Sequence, residues 1–226
     1  MSMPFYVAPE QVMKDRADYA RKGIARGRSL AGLIYNDGVL ICAENQSRTL
    51  HKVSEIYDHI AFAGVGRYNE FDSLRTAGVR LADLRGYSYS REDVDARSLA
   101  NAYAQTLGQV FTHEMKPYEV EILVAELGVD GNPDQLFHLL YDGTVVDEEN
   151  FTVLGGDADS IAERLKDGFS EGMQLGPALQ AAVKALAGPE RTLTAGDLEV
   201  AVLARSNGRR AFKRILNGEL EQALSS

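Results

Sequence analysis

Short apolar runs separated by turn residues dominate the chain from residue 29 onward. Ser29–Tyr35 and Val39–Ala43 flank Asn36–Gly38, a turn sequence that favours a tight antiparallel hairpin. Val53–Tyr57 and Ile60–Val65 have the same form and predict a second strand pair. Because short hairpin turns join antiparallel neighbours, the pattern predicts antiparallel sheets.

Apolar residues at helical spacing predict helices before and after these strands. The first, predicted over residues 9–26, begins at Pro9, which suits the first turn of a helix. Most of its surface is charged, so we expect it to lie outside the main core. The predicted apolar stripes are Met13, Ala17, Ala20 and Ile24; Phe71, Leu74, Gly78 and Leu81; Leu99, Tyr103, Thr106 and Val110; Ile161, Leu165 and Phe169; and Leu175, Leu179, Ala182 and Leu186.

The second half of the chain predicts more strands. Residues 117–127, PYEVEILVAEL, alternate between apolar and polar positions. Residues 135–156 predict one strand, a turn at Asp142-Gly143 and one further strand. Residues 197–215 predict a closing pair of strands around a turn at Asn207-Gly208.

The order of elements predicts one domain over residues 1–226, because no repeat, low-complexity linker or break in charge divides the sequence. Two antiparallel sheets packed face to face, with helices on both outer sides, would bury the apolar faces. The fold class predicted is therefore α+β. Residues 1–8 form a tail before the first helix, and residues 217–226 an acidic C-terminal tail.

Composition narrows the classes of function. The formal net charge of -9 argues against a general nucleic-acid binder, since phosphate neutralisation needs a basic surface. No apolar run approaches the roughly 18 residues of a membrane span, so no membrane contact is predicted. The single Cys42 excludes a disulfide framework and a cysteine-rich zinc site, and it fits a cytoplasmic location.

Candidate catalytic and metal-binding motifs are scarce. A Ser-His-Asp site stays open, but no G-x-S-x-G elbow occurs, and the isolated G-x-G at Gly64–Gly66 lacks the rest of a dinucleotide motif. Asp157 or Asp159 is predicted to cap a helix rather than to bind calcium. We therefore predict no metal and no cofactor. Four histidines have no partner at metal-ligand spacing, and they are His51, His59, His113 and His138.

Three stretches carry a resemblance to a known family. Residues 19–48, YARKGIARGRSLAGLIYNDGVLICAENQSR, resemble the start of a proteasome α-subunit. KPYEVEILVAEL is similar to the central strand of that family, and LLYDGTVVDEENFTVLGG to the hairpin before its third helix. The match runs from Pro9 to Ile215 and is most like the bacterial form. It implies a four-layer α-β-β-α sandwich, the N-terminal nucleophile hydrolase fold, with an extra N-terminal helix.

The resemblance also has an implication for whether the chain is catalytic. In the β-subunits of the family an N-terminal Thr is the nucleophile, and its α-amine is the base. Counting back from Gly32, that position holds Arg28, whose guanidinium cannot attack a carbonyl. A noncatalytic subunit with no catalytic residue is implied. One alternative is a self-processing hydrolase in which cleavage after Arg28 exposes Ser29 as nucleophile; another is a ligand-binding α/β domain with no oligomer.

The family's α-subunits place the residues before the first helix at an axial pore. The tail of residues 1–8 matches that gate in position, and its exposed apolar residues would gain a partner by burying one another around an axis. Pro9 and Tyr19 resemble the hinge and the gate-supporting position. The implied gate consists of Met3, Pro4, Phe5, Tyr6, Val7, Ala8, Pro9 and Tyr19.

The resemblance implies several partners. Seven copies form a homo-heptameric α-ring, and two such rings flank two proteasome β-subunit rings, α7β7β7α7. An activating ring ATPase inserts C-terminal tails between neighbouring α-subunits and delivers pupylated (ubiquitin-like-modified) or unfolded protein substrates. The lysine that meets the tail carboxylate corresponds to Lys52, with Gly27 and Gly66 as the floor of the activator-docking pocket.

Overall fold

Two five-stranded sheets packed face to face form the centre of the protein. The computed structural model describes residues 8–225. Its strands are β1 Leu30–Tyr35, β2 Gly38–Glu44, β3 Val53–Tyr57, β4 Ile60–Gly66, β5 Val120–Glu126, β6 Gln135–Leu139, β7 Val145–Glu148, β8 Phe151–Leu154, β9 Leu198–Ala204 and β10 Phe212–Ile215. The first sheet has the order β10-β9-β2-β1-β8 and the second the order β3-β4-β5-β6-β7. All the paired neighbours are antiparallel.

Helices cover the outer faces of both sheets. The helices in chain order are α1 Pro9–Ile24, α2 Tyr68–Ser88, α3 Ala96–His113, α4 Ala158–Gly168, α5 Leu175–Ala187 and α6 Asn217–Ser225. The pair α2 and α3 packs on the second sheet, and the pair α4 and α5 packs on the first. The extra helix α1 contacts β4 and β5 instead. The predicted four-layer α-β-β-α sandwich with an extra N-terminal helix is confirmed.

The core has three apolar layers, one between the sheets and one beneath each pair of helices. Successive side chains of a strand point to opposite faces, so Ala31 and Leu33 of β1 pack towards α4 and α5, whereas Leu30 packs towards the second sheet. Phe62 of β4 packs with α2 and α3 in the same way. Because both faces are buried, the strands read as nearly continuous apolar runs.

A glycine allows the two sheets to approach each other at their centre. A Cβ atom at Gly32 of β1 would lie 2.5 Å from Cδ2 of Leu123, which is on β5. Leu123 is fully buried and fills the space that Gly32 leaves open. Any side chain at position 32 would have to displace it.

Residues 135–156 contain three strands rather than the two predicted. β6 and β7 form a hairpin around the predicted turn, but β8 leaves that sheet and pairs with β1, with Leu154 opposite Leu30. The prediction of a single further strand was wrong, because the continuous stretch VVDEENFTVL does not reveal a change of sheet. The exposed Glu149 and Asn150 carry the chain across.

Three local features also differ from the predictions. The stretch predicted as an acidic tail contains α6, whose Leu220 is fully buried against the first sheet's outer layer. On α3, Leu99 and Tyr103 are buried as predicted, but Thr106 is exposed and the neighbouring Leu107 is buried in its place. Asp157 precedes α4 at the capping position, but its side chain forms no capping hydrogen bond; Asp159 lies in the first turn.

We predict that Leu123→Ala lowers the free energy of unfolding by about 2–5 kcal/mol, because it opens a cavity between the sheets. Denaturant unfolding of the full chain, at one protein concentration and one oligomeric state, measures the loss. Leu84→Ala is the control: this leucine is 63% exposed on α2, so its loss should stay within about 0.5 kcal/mol. Equal losses in both variants would contradict this assignment of the core.

Candidate functional site

The segment between α1 and β1 brings predicted site residues to one corner of the sandwich. After α1 ends, the amide of Gly27 donates a hydrogen bond to the carbonyl of Ile24 at 2.8 Å. Arg28 follows, just before β1. Lys52 reaches the same corner from the segment before β3, and its Nζ donates to the carbonyl oxygen of Arg28 at 2.6 Å. Gly27, Arg28 and Lys52 therefore converge, and we call this place the Arg28 corner.

Gly27 and Gly66 are in backbone contact beside this corner. A Cβ atom on Gly27 would lie 3.0 Å from the amide nitrogen of Gly66. Gly66 has a φ of +104°, and a Cβ there would lie 1.9 Å from the carbonyl oxygen of Glu119. Neither position has room for a side chain, and at Gly66 the backbone conformation itself favours glycine. The predicted floor residues are thus adjacent, while their role in docking stays a prediction.

The guanidinium of Arg28 is held by a buried carboxylate. It forms a short ion pair with Glu44, which is only 4% exposed, and a hydrogen bond of 3.2 Å to the side-chain oxygen of Gln46. Glu44 also receives two hydrogen bonds from Arg191, at 3.1 and 3.2 Å. Two guanidinium groups thus compensate one desolvated carboxylate. Arg28 is fixed in place, and it offers neither a nucleophile nor a base.

Lys52 is half-buried, and this lowers its pKa to about 8, because burial disfavours the charged ammonium. Glu44 and Glu199 act in the opposite direction, and Arg28 adds to the lowering. An ammonium that is short of solvent and bonded to one carbonyl oxygen can still donate to a further acceptor. This geometry suits a carboxylate that approaches from outside.

Glu199 of β9 fixes the backbone around Lys52, and the sequence analysis missed it. This carboxylate is 7% exposed. It accepts hydrogen bonds from the amides of Lys52 at 2.8 Å and Val53 at 3.3 Å, and from the side chain of Asn45 at 2.7 Å. A short ion pair with Arg214 adds a positive charge. The signal was a single acid inside the apolar run LEVAVLA, because a buried charge requires partners.

A cavity of about 530 Å³ lies beside Arg28, between the start of β1 and helices α4 and α5. Lys52 does not line it. Arginines and acids are balanced in its wall, so it has no clear preference for an ion of either sign. The lining charged residues are Arg28, Glu44, Asp157, Arg164, Glu190 and Arg191.

Ser29, the alternative nucleophile, is 7% exposed at the start of the first hairpin. Its Oγ faces Gly155, where a Cβ atom would come within 2.6 Å of it. Within residues 8–225 this hydroxyl forms no hydrogen bond to a histidine, lysine or carboxylate. The part of the chain that the structure describes therefore gives Ser29 no general base.

Of the predicted gate residues, Met3, Pro4, Phe5, Tyr6 and Val7 lie outside the described residues. The remaining three lie directly before α1 or within it. Ala8 precedes the helix and its carbonyl accepts the amide of Gln11 at 2.9 Å. Pro9 is the first helical residue, as predicted. Tyr19 is exposed, and its ring centroid lies 5.7 Å from Nζ of Lys116.

An ion-pair cluster links Tyr19 to the backbone that contacts Gly66. Nζ of Lys116 lies 2.6 Å from Glu70 and 2.9 Å from Glu119, and both acids are buried. The carbonyl of Glu119 accepts the amide of Arg67 at 2.9 Å, directly after Gly66. Lys116 therefore connects Tyr19 of α1 with the backbone at the end of β4.

The described part of the chain contains no cluster of His, Cys, Asp and Glu residues that could hold a metal ion. His138 has the most acidic surroundings, with Nε2 3.5 Å from Glu121 and Nδ1 3.9 Å from Glu148. From residue 8 to residue 225, no helix is both long and apolar enough to cross a membrane.

Comparison with known proteins identifies the family. A protein-family sequence model described as proteasome subunit matches residues 24–203. The chain belongs to the proteasome subunit family. Among its relatives, proteasome subunit alpha of Acidimicrobium ferrooxidans is 64% identical over 99% of this chain and 97% of its own length. The protein of the same name from Xylanimonas cellulosilytica is 60% identical over 95% and 93%, and that from Thermomonospora curvata 57% identical over 100% and 99%. The predicted resemblance to bacterial α-type proteasome subunits is confirmed.

Proposed function

We propose that this proteasome subunit is noncatalytic and forms the outer heptameric rings of a 20S particle, on either side of two β-rings. The observation that carries the proposal is Arg28 at the nucleophile position. Its guanidinium is held by Glu44, and its carbonyl oxygen by Lys52. The name of the relatives, proteasome subunit alpha, supports the same role. Peptide bonds would be cleaved on the β-subunits.

The chemistry of the Arg28 corner supports an inactive subunit. In hydrolases of this fold, the residue at the start of the first hairpin carries both a side-chain hydroxyl or thiol and a free α-amine. Arg28 has neither group, and a guanidinium cannot attack a carbonyl. The neighbouring Ser29 is buried and without a base. A neutral amine on Lys52 could act as a base, but its Nζ donates a hydrogen bond to the carbonyl of Arg28.

We predict that the purified chain keeps its full mass and hydrolyses no peptide by itself. Intact-mass spectrometry before and after incubation with an epoxyketone inhibitor tests both points, because such inhibitors react with an N-terminal hydroxyl and amine together. A product that begins at Ser29, or a covalent adduct on this chain, would support the self-processing hydrolase instead. A β-subunit treated in parallel is the positive control.

The N-terminal tail would close the axial pore of the ring. Residues 1–8 contain Met3, Phe5, Tyr6 and Val7, and burial of apolar area is favourable by about 25 cal/mol per Å². Copies of the tail around one axis could bury these side chains against each other. α1, anchored through Arg16 to the carbonyl of Phe111 at 2.7 Å, would hold each tail at its start.

Deletion of residues 1–8 should raise hydrolysis of small peptides by the assembled particle several-fold, because it removes the apolar plug. The measurement is peptide hydrolysis at equal particle concentration, with the β-subunit unchanged. Replacement of the same residues by a Gly/Ser segment of equal length keeps the chain length but not the apolar burial, and it should open the pore as well. Unchanged hydrolysis in both variants would count against a gate at this position.

Lys52 would receive the C-terminal carboxylate of an activating ring ATPase. Glu199 holds the backbone amide of Lys52, its ammonium donates to the carbonyl of Arg28, and Gly27 and Gly66 add no side chains beside Arg28. A charge-assisted hydrogen bond from ammonium to carboxylate is roughly twice as strong as a neutral one. In this proposal the ATPase delivers pupylated or unfolded proteins in the cytoplasm, which follows from the family resemblance.

Lys52→Ala should weaken binding of a peptide with the activator's C-terminal sequence by about tenfold, since a hydrogen bond to a charged group is lost. In the unaltered particle, binding should weaken as pH rises from 7 to 9, because the ammonium loses its proton with a pKa of about 8. Lys52→Arg stays charged and should bind without that decline.

Fluorescence anisotropy on assembled particles measures the affinity. The same peptide with an amidated C-terminus should bind weakly to every variant. Lys184→Ala, which removes an exposed lysine on α5, is the control for loss of charge. If Lys52→Ala binds as tightly as Lys184→Ala, then Lys52 does not meet the carboxylate.

A further inference from the structure

The sandwich has two lateral edges formed by different strands. β10 lies over β3, because Arg214 donates to the carbonyl of Val53 at 2.8 Å. β8 lies over β6 at the opposite edge, where Thr152 and His138 are 3.3 Å apart. With five strands about 4.8 Å apart, the two edges are separated by roughly 19 Å. We call them the β7 edge and the β10 edge, after their outermost exposed strands.

The β7 edge is acidic and partly apolar. Val145 and Val146 are exposed on the strand itself. Asp147 and Glu149 are also exposed, and within the part of the chain that the structure describes neither forms an ion pair. On its free side the strand carries backbone groups that no other strand within residues 8–225 satisfies. An exposed edge strand with apolar side chains and unpaired charges can bind the surface of another protein chain.

The β10 edge is basic and carries its own apolar residue. Arg209 is exposed and forms no ion pair with any residue between 8 and 225. Lys213 pairs only with the exposed Glu219 at 3.2 Å, which contributes little binding energy in water. Arg210 lies across Glu55, with 74% of its side chain exposed. Leu216, 67% exposed, follows the strand.

The two edges are complementary to each other and repel copies of themselves. An acidic edge facing a second acidic edge would place unpaired carboxylates together, so a two-fold contact through either edge is disfavoured. An acidic edge facing a basic edge pairs Asp147 and Glu149 with Arg209 and Lys213. Such a head-to-tail contact uses different surfaces on the two copies, and repetition closes into a ring when the rotation allows it.

We propose that the β7 edge of one subunit docks on the β10 edge of the next copy of this chain. The inference rests on the proposed ring role and adds to it the surfaces that form the ring. The valines of one edge would pack near Leu216 of the next, and the charges would set the direction of assembly.

Charge reversal tests the contact in the full chain, co-expressed with the β-subunit. Asp147→Lys with Glu149→Lys gives a chain with two basic edges, and Arg209→Glu with Lys213→Glu gives one with two acidic edges. Each should lower the fraction of chain in ring assemblies at least about tenfold, because like charges then face each other. The chain with all four substitutions has complementary edges again and should recover assembly.

Native mass spectrometry and negative-stain images give the fraction assembled, and circular dichroism shows that each variant is folded. Asp83→Lys with Glu163→Lys makes the same change of net charge as Asp147→Lys with Glu149→Lys, but on exposed sites of α2 and α4, and it should assemble normally. Assembly of both double variants, failure of the fourfold variant, or equal loss in the control would overturn the proposal. If the unaltered chain forms no ring at all, that result contradicts the proposed function. If it forms rings and the variants do not behave as expected, only the proposed edge contact is contradicted.

Discussion

Two buried carboxylates, Glu44 and Glu199, need positive charge and hydrogen-bond donors at the start of the first hairpin, and this need organises the site. A carboxylate removed from water is costly unless it is paired. Glu44 receives Arg28 and Arg191, and Glu199 receives Arg214 together with backbone amides. These contacts connect β2, β9, β10 and the segment after α5. Pairing of these two buried charges thus joins several separate segments of the chain at one corner.

The same contacts determine what the corner can do. The position that the family resemblance assigns to the nucleophile holds a paired guanidinium, and the ammonium of Lys52 donates to the carbonyl of the same residue. The surroundings that lower the pKa of Lys52 also leave its ammonium with few competing acceptors. The arrangement is thus better suited to binding an anion than to cleaving a bond.

Much of the fold is readable from the sequence because the strands are short and their turns are marked. The hairpin around Asn36–Gly38 and the helix starting at Pro9 follow from local chemistry alone. The transfer of β8 to the other sheet does not, since pairing with β1 depends on contacts more than a hundred residues apart. The helix α6 was missed because it is short and acidic, and its few apolar residues, Leu220, Ala223 and Leu224, are stabilised by packing against the first sheet's outer layer.

The site was only partly readable for the same reason. Lys52, Gly27 and Gly66 came from family resemblance, and their convergence with Arg28 is a property of the fold. Glu199 has no motif around it. Its role appears only when β9 brings it next to the segment before β3, which is a long-range contact that local patterns do not encode.

The proposed docking corner and the proposed ring contact share one edge of the sandwich, and this has a mechanical consequence. Arg214 on β10 pairs with Glu199, which holds the backbone of Lys52, while its neighbour Lys213 faces outward. A copy docked on the β10 edge would therefore contact β10, the strand whose Arg214 pairs with Glu199 beside Lys52. Docking of a tail and contact between copies would bias the same strand, so each would change the affinity of the other by the same factor. Such coupling needs no movement of the core, because β10 is an edge strand paired only with β9.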